Sequence, residues 1–225
     1  MRCLTDGDPL AYIAAWGRTE EEAKVKMDDL VREIPDSVFA TEHRIAVKGS
    51  GNFRDTVIDD YKANRKTDPE YGALIRILRE YLIEEHGAVP ADGQEADDLL
   101  AQWAEECRQE GTEWAIASID KDLLTIPGTH YNIRKGTIDH IDEDTADYLL
   151  NAQLLTGDRV DNIQGLKGIG PKKAENILAG FPYGKRRAAV INAYRDCYGQ
   201  DWERELQTTG DLIYIRKIKD ERFKI

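Results

Sequence analysis

Trp114-Ala115-Ile116-Ala117-Ser118-Ile119-Asp120-Lys121-Asp122 is a short apolar run that ends on two acids. It is too short for a buried helix and is flanked by polar residues, so residues 114–119 read as a buried strand. The chain start repeats the arrangement, with a strand over Arg2 to Thr5 running into Asp6-Gly7-Asp8. Between these two runs the apolar residues follow helical spacing. One helix starts near Pro9, a second runs from Glu20 to Pro35, a third carries Leu74, Ile77, Leu78, Tyr81 and Leu82, and a fourth spans about Gln94 to Cys107. Val38 to Val47 reads as a strand with a polar interruption, and residues 55–72 read as an exposed segment. After Ile119, Tyr131 to Ile133 and Thr137 to Ile141 suggest a hairpin around Arg134-Lys135-Gly136. Helices are expected from Asp144 to about Tyr198, and a terminal strand over Leu212 to Ile218. Strands alternating with helices give an α/β class with a largely parallel sheet.

The 225 residues suffice for one core with a small appended lobe. No run approaches the ~20 apolar residues of a membrane helix. The N-terminus meets an acid too early for a secretion signal, and Cys3, Cys107 and Cys197 are too far apart for a metal or disulfide framework. A cytoplasmic protein is the expectation. The net charge of −12 argues against nucleic-acid binding when taken as a whole. Its distribution argues the other way: from Gly165 to Arg187 six Lys and Arg residues face one acid, Glu175, a local +5.

Four acidic groups stand out: Asp6 with Asp8, Glu95 with Asp97 and Asp98, Asp120 with Asp122, and Asp158 with Asp161. Two of the groups follow strands, where open α/β sheets collect ligands. Oxygen-rich clusters of this kind suit Mg²⁺ or Mn²⁺ rather than zinc. Each group also has an ordinary reading. Acids favour a helix's first turn, and they favour turns and N-caps. All four together, beside a basic hairpin, favour metal ions over those readings.

That hairpin is Gln164-Gly165-Leu166-Lys167-Gly168-Ile169-Gly170-Pro171-Lys172-Lys173. Gly168-Ile169-Gly170 predicts a tight turn, and Pro171 starts the next helix. Backbone N–H groups at such a helix start hold anions, and Lys167, Lys172 and Lys173 add charge without reading base sequence. Tyr61-Lys62-Ala63-Asn64-Arg65-Lys66 is a second basic element. Lys62 and Arg65, three apart, are placed in one helical turn to face a single phosphate and stabilise its transition state.

These stretches, with Thr156-Gly157-Asp158-Arg159-Val160-Asp161-Asn162-Ile163, resemble the 5′ nuclease superfamily. That superfamily comprises bacteriophage 5′→3′ exonucleases, flap endonucleases and the 5′ nuclease domain of bacterial DNA polymerase I. The resemblance spans residues 4 to 180 in the family's order. It implies a PIN-like catalytic core over 1–150 with a short arch or gateway at about 55–80. A helix-hairpin-helix lobe over 151–200 and a C-terminal segment, 201–225, packing on the core complete the expected organisation. It implies two ions, one near Asp6, Glu95, Asp97 and Asp98 and one near Asp120, Asp122, Asp158 and Asp161. Lys62 and Arg65 take catalytic roles. Tyr61, Arg54, Lys167, Gly168, Ile169, Gly170, Lys172 and Lys173 meet DNA, with K⁺ at the hairpin glycines. The implied partner is duplex DNA with a 5′ end or flap, or an RNA–DNA hybrid, bound by a monomer, in phage replication or recombination. Asp8 carries over less firmly than Asp6. One position departs from the family: it usually has a further Asp at the end of the second strand, before a Phe-Arg pair. Phe53-Arg54 matches the pair, but Ala46-Val47-Lys48-Gly49 contains no acid, leaving Val47 or Gly49 in its place. Two other readings are a DNA-binding protein of nuclease ancestry with weak or no catalysis, supported by that missing acid, and a PIN-type or RNase H-like ribonuclease removing RNA primers; PIN-type domains usually lack the hairpin.

Overall fold

A computed structural model describes residues 1–64 and 68–225. Six strands form one sheet: β1 (Arg2–Asp6), β2 (Glu42–Lys48), β3 (Val89–Ala91), β4 (Trp114–Ser118), β5 (Gly128–Asn132) and β6 (Thr137–Ile141). Their spatial order is β3-β2-β1-β4-β5-β6. All neighbours are parallel except the hairpin β5–β6. The expected α/β class with a largely parallel sheet is what the chain forms. The strand order reverses at β1, between β2 and β4, so the crevice for a ligand lies at the carboxyl ends of β1 and β4. Asp6 ends β1, and Asp120 follows β4 by two residues.

Helices cover both faces of the sheet. α1 (Gly7–Ala15), α2 (Glu20–Ser37) and α3 (Pro69–His86) pack Leu10, Ala14, Met27, Ile75, Leu78 and Leu82 against one face. On the other, α4 (Ala96–Glu110) packs Leu100, Ala101 and Trp103 against Leu4, Ala46 and Ile116. The central strands β1 and β4 are short and buried on both faces, which is why Trp114 to Ser118 reads as a continuous apolar run rather than an alternating one. α3 is capped by Asp68 and carries Pro69 in its first turn. It lies on α1, where the Tyr71 hydroxyl donates to the Tyr12 carbonyl at 3.0 Å.

α5 (Glu143–Thr156), α6 (Pro171–Leu178), α7 (Arg186–Tyr198) and α8 (Trp202–Ile213) build a helical lobe, with a two-stranded ribbon of β7 (Gly157–Asp158) and β8 (Ile163–Gln164) between α5 and α6. Leu154, Leu155, Leu178, Val190, Tyr194 and Leu206 share its core.

Three expectations are corrected and a fourth is widened. The strand foreseen from Val38 begins only at Glu42, because α2 continues through Pro35 and Val38 caps it. Leu212 to Ile218 forms no strand: Leu212 and Ile213 end α8, and the carbonyls of Leu212 and Tyr214 accept from Arg54 instead of a sheet edge. The segment beyond 201 packs on the lobe as well as on the core: Leu206 and Phe223 lie in the lobe cluster, while Ile215 joins the sheet core and Leu212, Tyr214 and Arg216 bond Arg54 and Asp98. Residues 55–64 are not merely exposed, since Tyr61 is buried against Ile163 and Leu212.

Candidate active site

The carboxyl ends of β1 and β4 open into a cleft of about 940 Å³. Asp6, Asp8, Glu95, Asp97, Asp120, Asp122, Asp158 and Asp161 all line it, and so do Tyr61 and Lys62. The clusters read separately along the sequence therefore share one site.

Asp6 is fixed from two sides. It caps α1 by accepting the Asp8 N–H at 3.3 Å, and it accepts the Ser118 hydroxyl at 2.9 Å. Burial, then the charges of Asp8 and Asp120, push its carboxyl up to about 7. Asp97, in the first turn of α4, is pushed well above the usual carboxylate range by burial and by Asp6, Asp120, Glu95 and Asp98. Asp122 rises to about 6 through burial and the charges of Asp120 and Asp158. One of its oxygens accepts the Gln153 amide at 2.5 Å. Asp120 accepts the Asp122 N–H at 2.9 Å, and Asp158 accepts that of Val160 at 2.7 Å.

These shifts have one physical origin: carboxylates are crowded and desolvated without enough positive charge to offset them. Their mutual influence falls into two overlapping sets, Asp6, Asp97 and Asp120, then Asp120, Asp122, Asp158 and Asp161. Among the described residues, no three Asp, Glu, His or Cys side chains lie close enough to close around an ion. The acids ring the cleft rather than form a finished cage. The donor set nonetheless fits hard divalent cations, being all oxygen, rich in charge and free of His and Cys along the lining.

Glu95 is heavily engaged. Its oxygens accept from Lys62, from Asn52 at 3.1 Å and from the Tyr61 hydroxyl at 3.1 Å. The Lys62 ammonium also lies 3.4 Å from Asp161. Lys62 adopts a left-handed backbone, φ 56°, and is held there because its N–H donates to the Asp161 carbonyl at 3.0 Å. Asn64 and Asn162 bond at 3.0 Å, and Asn162 returns a bond to Asp60. The Tyr61–Asn64 and Asp158–Asn162 stretches, almost a hundred residues apart, are thereby stapled together. Arg65 lies outside the described residues.

Two residues expected at the site or at DNA do other work. Asp98 is fully buried, and its oxygens accept from both terminal nitrogens of Arg54, from the Arg216 N–H and from the Glu95 N–H, at 2.6–3.0 Å. Four donors saturate it, so no lone pair is left for an ion in the cleft. Arg54 is 2% exposed and also donates to Leu212 and Tyr214 carbonyls. It ties the core to the end of α8. The Tyr61 ring is likewise buried, leaving its hydroxyl at the cleft.

The hairpin lies outside the cleft lining. Gly168 has φ 76°, a backbone that favours glycine, and Gly168, Gly170, Lys167, Lys172 and Lys173 are all exposed. Ile169 is partly buried in the lobe core. The Gly168 carbonyl accepts the Lys173 ammonium at 2.8 Å.

Sequence reading missed Arg79 and Lys48, which also line the cleft. Arg79 sits beside the apolar stripe of α3, where nothing in the local sequence separates it from an ordinary surface arginine.

The model of the 5′-3′ exonuclease N-terminal resolvase-like domain matches residues 23–151, more than half of the chain. The chain belongs to the 5′-3′ exonuclease family. This exonuclease-family chain is 34% identical over 140 residues to DNA polymerase I of Rhizobium leguminosarum, covering 56% of this chain and 14% of the relative. It is 32% identical over 142 residues to a 5′-3′ exonuclease of Aquifex aeolicus, covering 56% and 47%. The chain thus spans less than half the length of these relatives. Its fold matches that of the bacteriophage T5 flap endonuclease, solved as a pseudo-enzyme–product complex with DNA and metal ions, with a TM-score of 0.68 at 16% identity over 94% of this chain and 98% of that one. No described helix of this family member is long and apolar enough to cross a membrane.

Proposed function

We propose that the chain is a structure-specific 5′ nuclease that hydrolyses DNA phosphodiesters with divalent metal ions, Mg²⁺ by donor chemistry. The observation that carries this reading is the meeting, in one cleft at the sheet's switch point, of carboxylates from separate chain segments with raised pKa values. The family, the exonuclease and polymerase relatives, and the T5 enzyme's complex with DNA and metal ions support it.

Asp6, Asp97 and Asp120 would hold one ion, and Asp122, Asp158 and Asp161 a second, with Glu95 available once Lys62 turns to substrate. Such ions supply positive charge at the attacking and leaving oxygens and acidify a bound water. The chain's own residues do the rest. Ser118 and the start of α1 orient Asp6, and Gln153 orients Asp122. Lys62, with Arg65 as its expected partner, neutralises charge building on the phosphate. The exposed hairpin, with Lys167, Lys172 and Lys173, grips duplex backbone beyond the cut.

Asp120→Asn and Asp158→Asn test the assignment. Each should lower Mg²⁺-dependent cleavage by roughly a hundredfold or more, the scale of losing one preorganised charged group, while DNA affinity persists. Full cleavage in both variants would remove the catalytic reading.

A further inference from the structure

Val47 and Gly49, the two positions open to the missing strand-end carboxylate, are both closed by packing. Val47 is fully buried in the sheet core. A Cβ at Gly49 would lie 2.5 Å from the Ala91 backbone, so no side chain fits there. The residue at this strand end that does reach the cleft is Lys48, a cation. Opposite it, Arg79 of α3 donates its Nε to Asp8 Oδ1 at 2.6 Å. The same oxygen accepts the Lys48 N–H at 3.4 Å. Asp8 is itself held in place, because Gly7 lets α1 start against β2: a Cβ at Gly7 would lie 2.6 Å from Val47. One carboxylate therefore ties together the end of β2, the start of α1 and the middle of α3. It aligns a guanidinium whose two terminal nitrogens have no partner among the described residues. Among the described residues the Lys48 ammonium has none either, the bond of Lys48 to Asp8 coming from its backbone N–H.

We infer that Lys48 and Arg79 form an anion subsite that binds a phosphodiester of the strand being cut, with Asp8 as its positioning residue rather than a metal ligand. The subsite is distinct from Lys62, whose ammonium is committed to Glu95 and Asp161. Arg79 is suited to the task, since one edge anchored on Asp8 leaves the terminal nitrogens to fork onto phosphate oxygens. Lys48 is exposed and adds a mobile point charge at the same corner. The cleft thus presents two cations at the corner where the resemblance leads one to expect an acid.

The inference rests on the nuclease reading. Its test is equilibrium binding of a 5′-flap DNA duplex in EDTA, where no cutting occurs, with salt varied between roughly 50 and 200 mM. Lys48→Gln and Arg79→Gln should each weaken binding. Each should also reduce the slope of log affinity against log salt by about 1, the mark of one lost phosphate contact. Arg79→Lys, which keeps the charge, should retain the slope. A wild-type slope in Lys48→Gln, or an Arg79→Gln variant whose only change is a lower melting temperature, would overturn the subsite and leave Asp8–Arg79 as a brace between helices. A wild-type protein that neither binds nor cuts the flap would instead refute the nuclease reading.

Discussion

At the scale of single residues, the acids of this chain divide by what surrounds them. Asp98 and Asp97 are neighbours on α4, yet one faces four donors and the other faces carboxylates. The pair Arg54–Asp98 is a buried bidentate ion pair, and removing one partner leaves an uncompensated buried charge. Arg54→Ala should therefore lower stability by about 3–5 kcal/mol, measured by urea unfolding without metal. A urea midpoint equal to wild type would show that the pair does not brace the fold. Asp97→Asn has the opposite expectation, since it removes a repelled carboxylate. The metal-free protein should melt at a higher temperature while its affinity for Mn²⁺, followed by calorimetric titration, falls.

At the scale of elements, the strand-to-acid transitions at Asp6 and Asp120 and the Gly168–Gly170 turn were legible because their chemistry is local. A short apolar run followed by an acid, or Gly-x-Gly before Pro, leaves few alternatives. What long-range packing decides was not legible. Arg54 resembled a DNA-facing cation until its partners, 44 and 158 positions away, were known. Leu212 to Ile218 has strand-like composition, but both sheet edges lie elsewhere and the residues serve α8 and its exit. Arg79 carried no motif, because its partner Asp8 is 71 residues distant. The hairpin prediction belongs at this scale. Lys172→Ala with Lys173→Ala should reduce the salt slope of duplex binding by about 2, and Gly168→Ala should cost roughly 1–2 kcal/mol because its φ of 76° crowds a Cβ. Unchanged duplex affinity and slope in the double lysine variant would make the hairpin a structural corner only.

At the scale of the molecule, the crowded carboxyls of Asp6, Asp97 and Asp122 link stability to pH and to metal. Asp6 titrates at about 7 in the fold against 3.8 ordinarily. A raised carboxyl favours the protonated native state, so its contribution is favourable below pH 4, is lost as pH rises toward 7, and leaves a penalty above. Asp122 acts in the same direction up to about 6. The metal-free protein should accordingly lose melting temperature between pH 4 and 7. Mg²⁺ at a hundredfold excess over its dissociation constant should restore about 2.7 kcal/mol at pH 8, and less at pH 5.5, where protons compete for the same oxygens. Equal Mg²⁺ stabilisation at both pH values would separate the ion from these carboxylates.

The proposed function makes a single claim about chemistry: a DNA strand is cut near its 5′ end or at the base of a 5′ flap. The direct measurement is incubation of the purified chain, with and without Mg²⁺, with a 5′-labelled flap duplex and sizing of the labelled products. The account predicts short labelled products ending at or near the flap junction, formed only with the divalent ion. An intact flap under both conditions, by a protein that still binds the duplex, would contradict it.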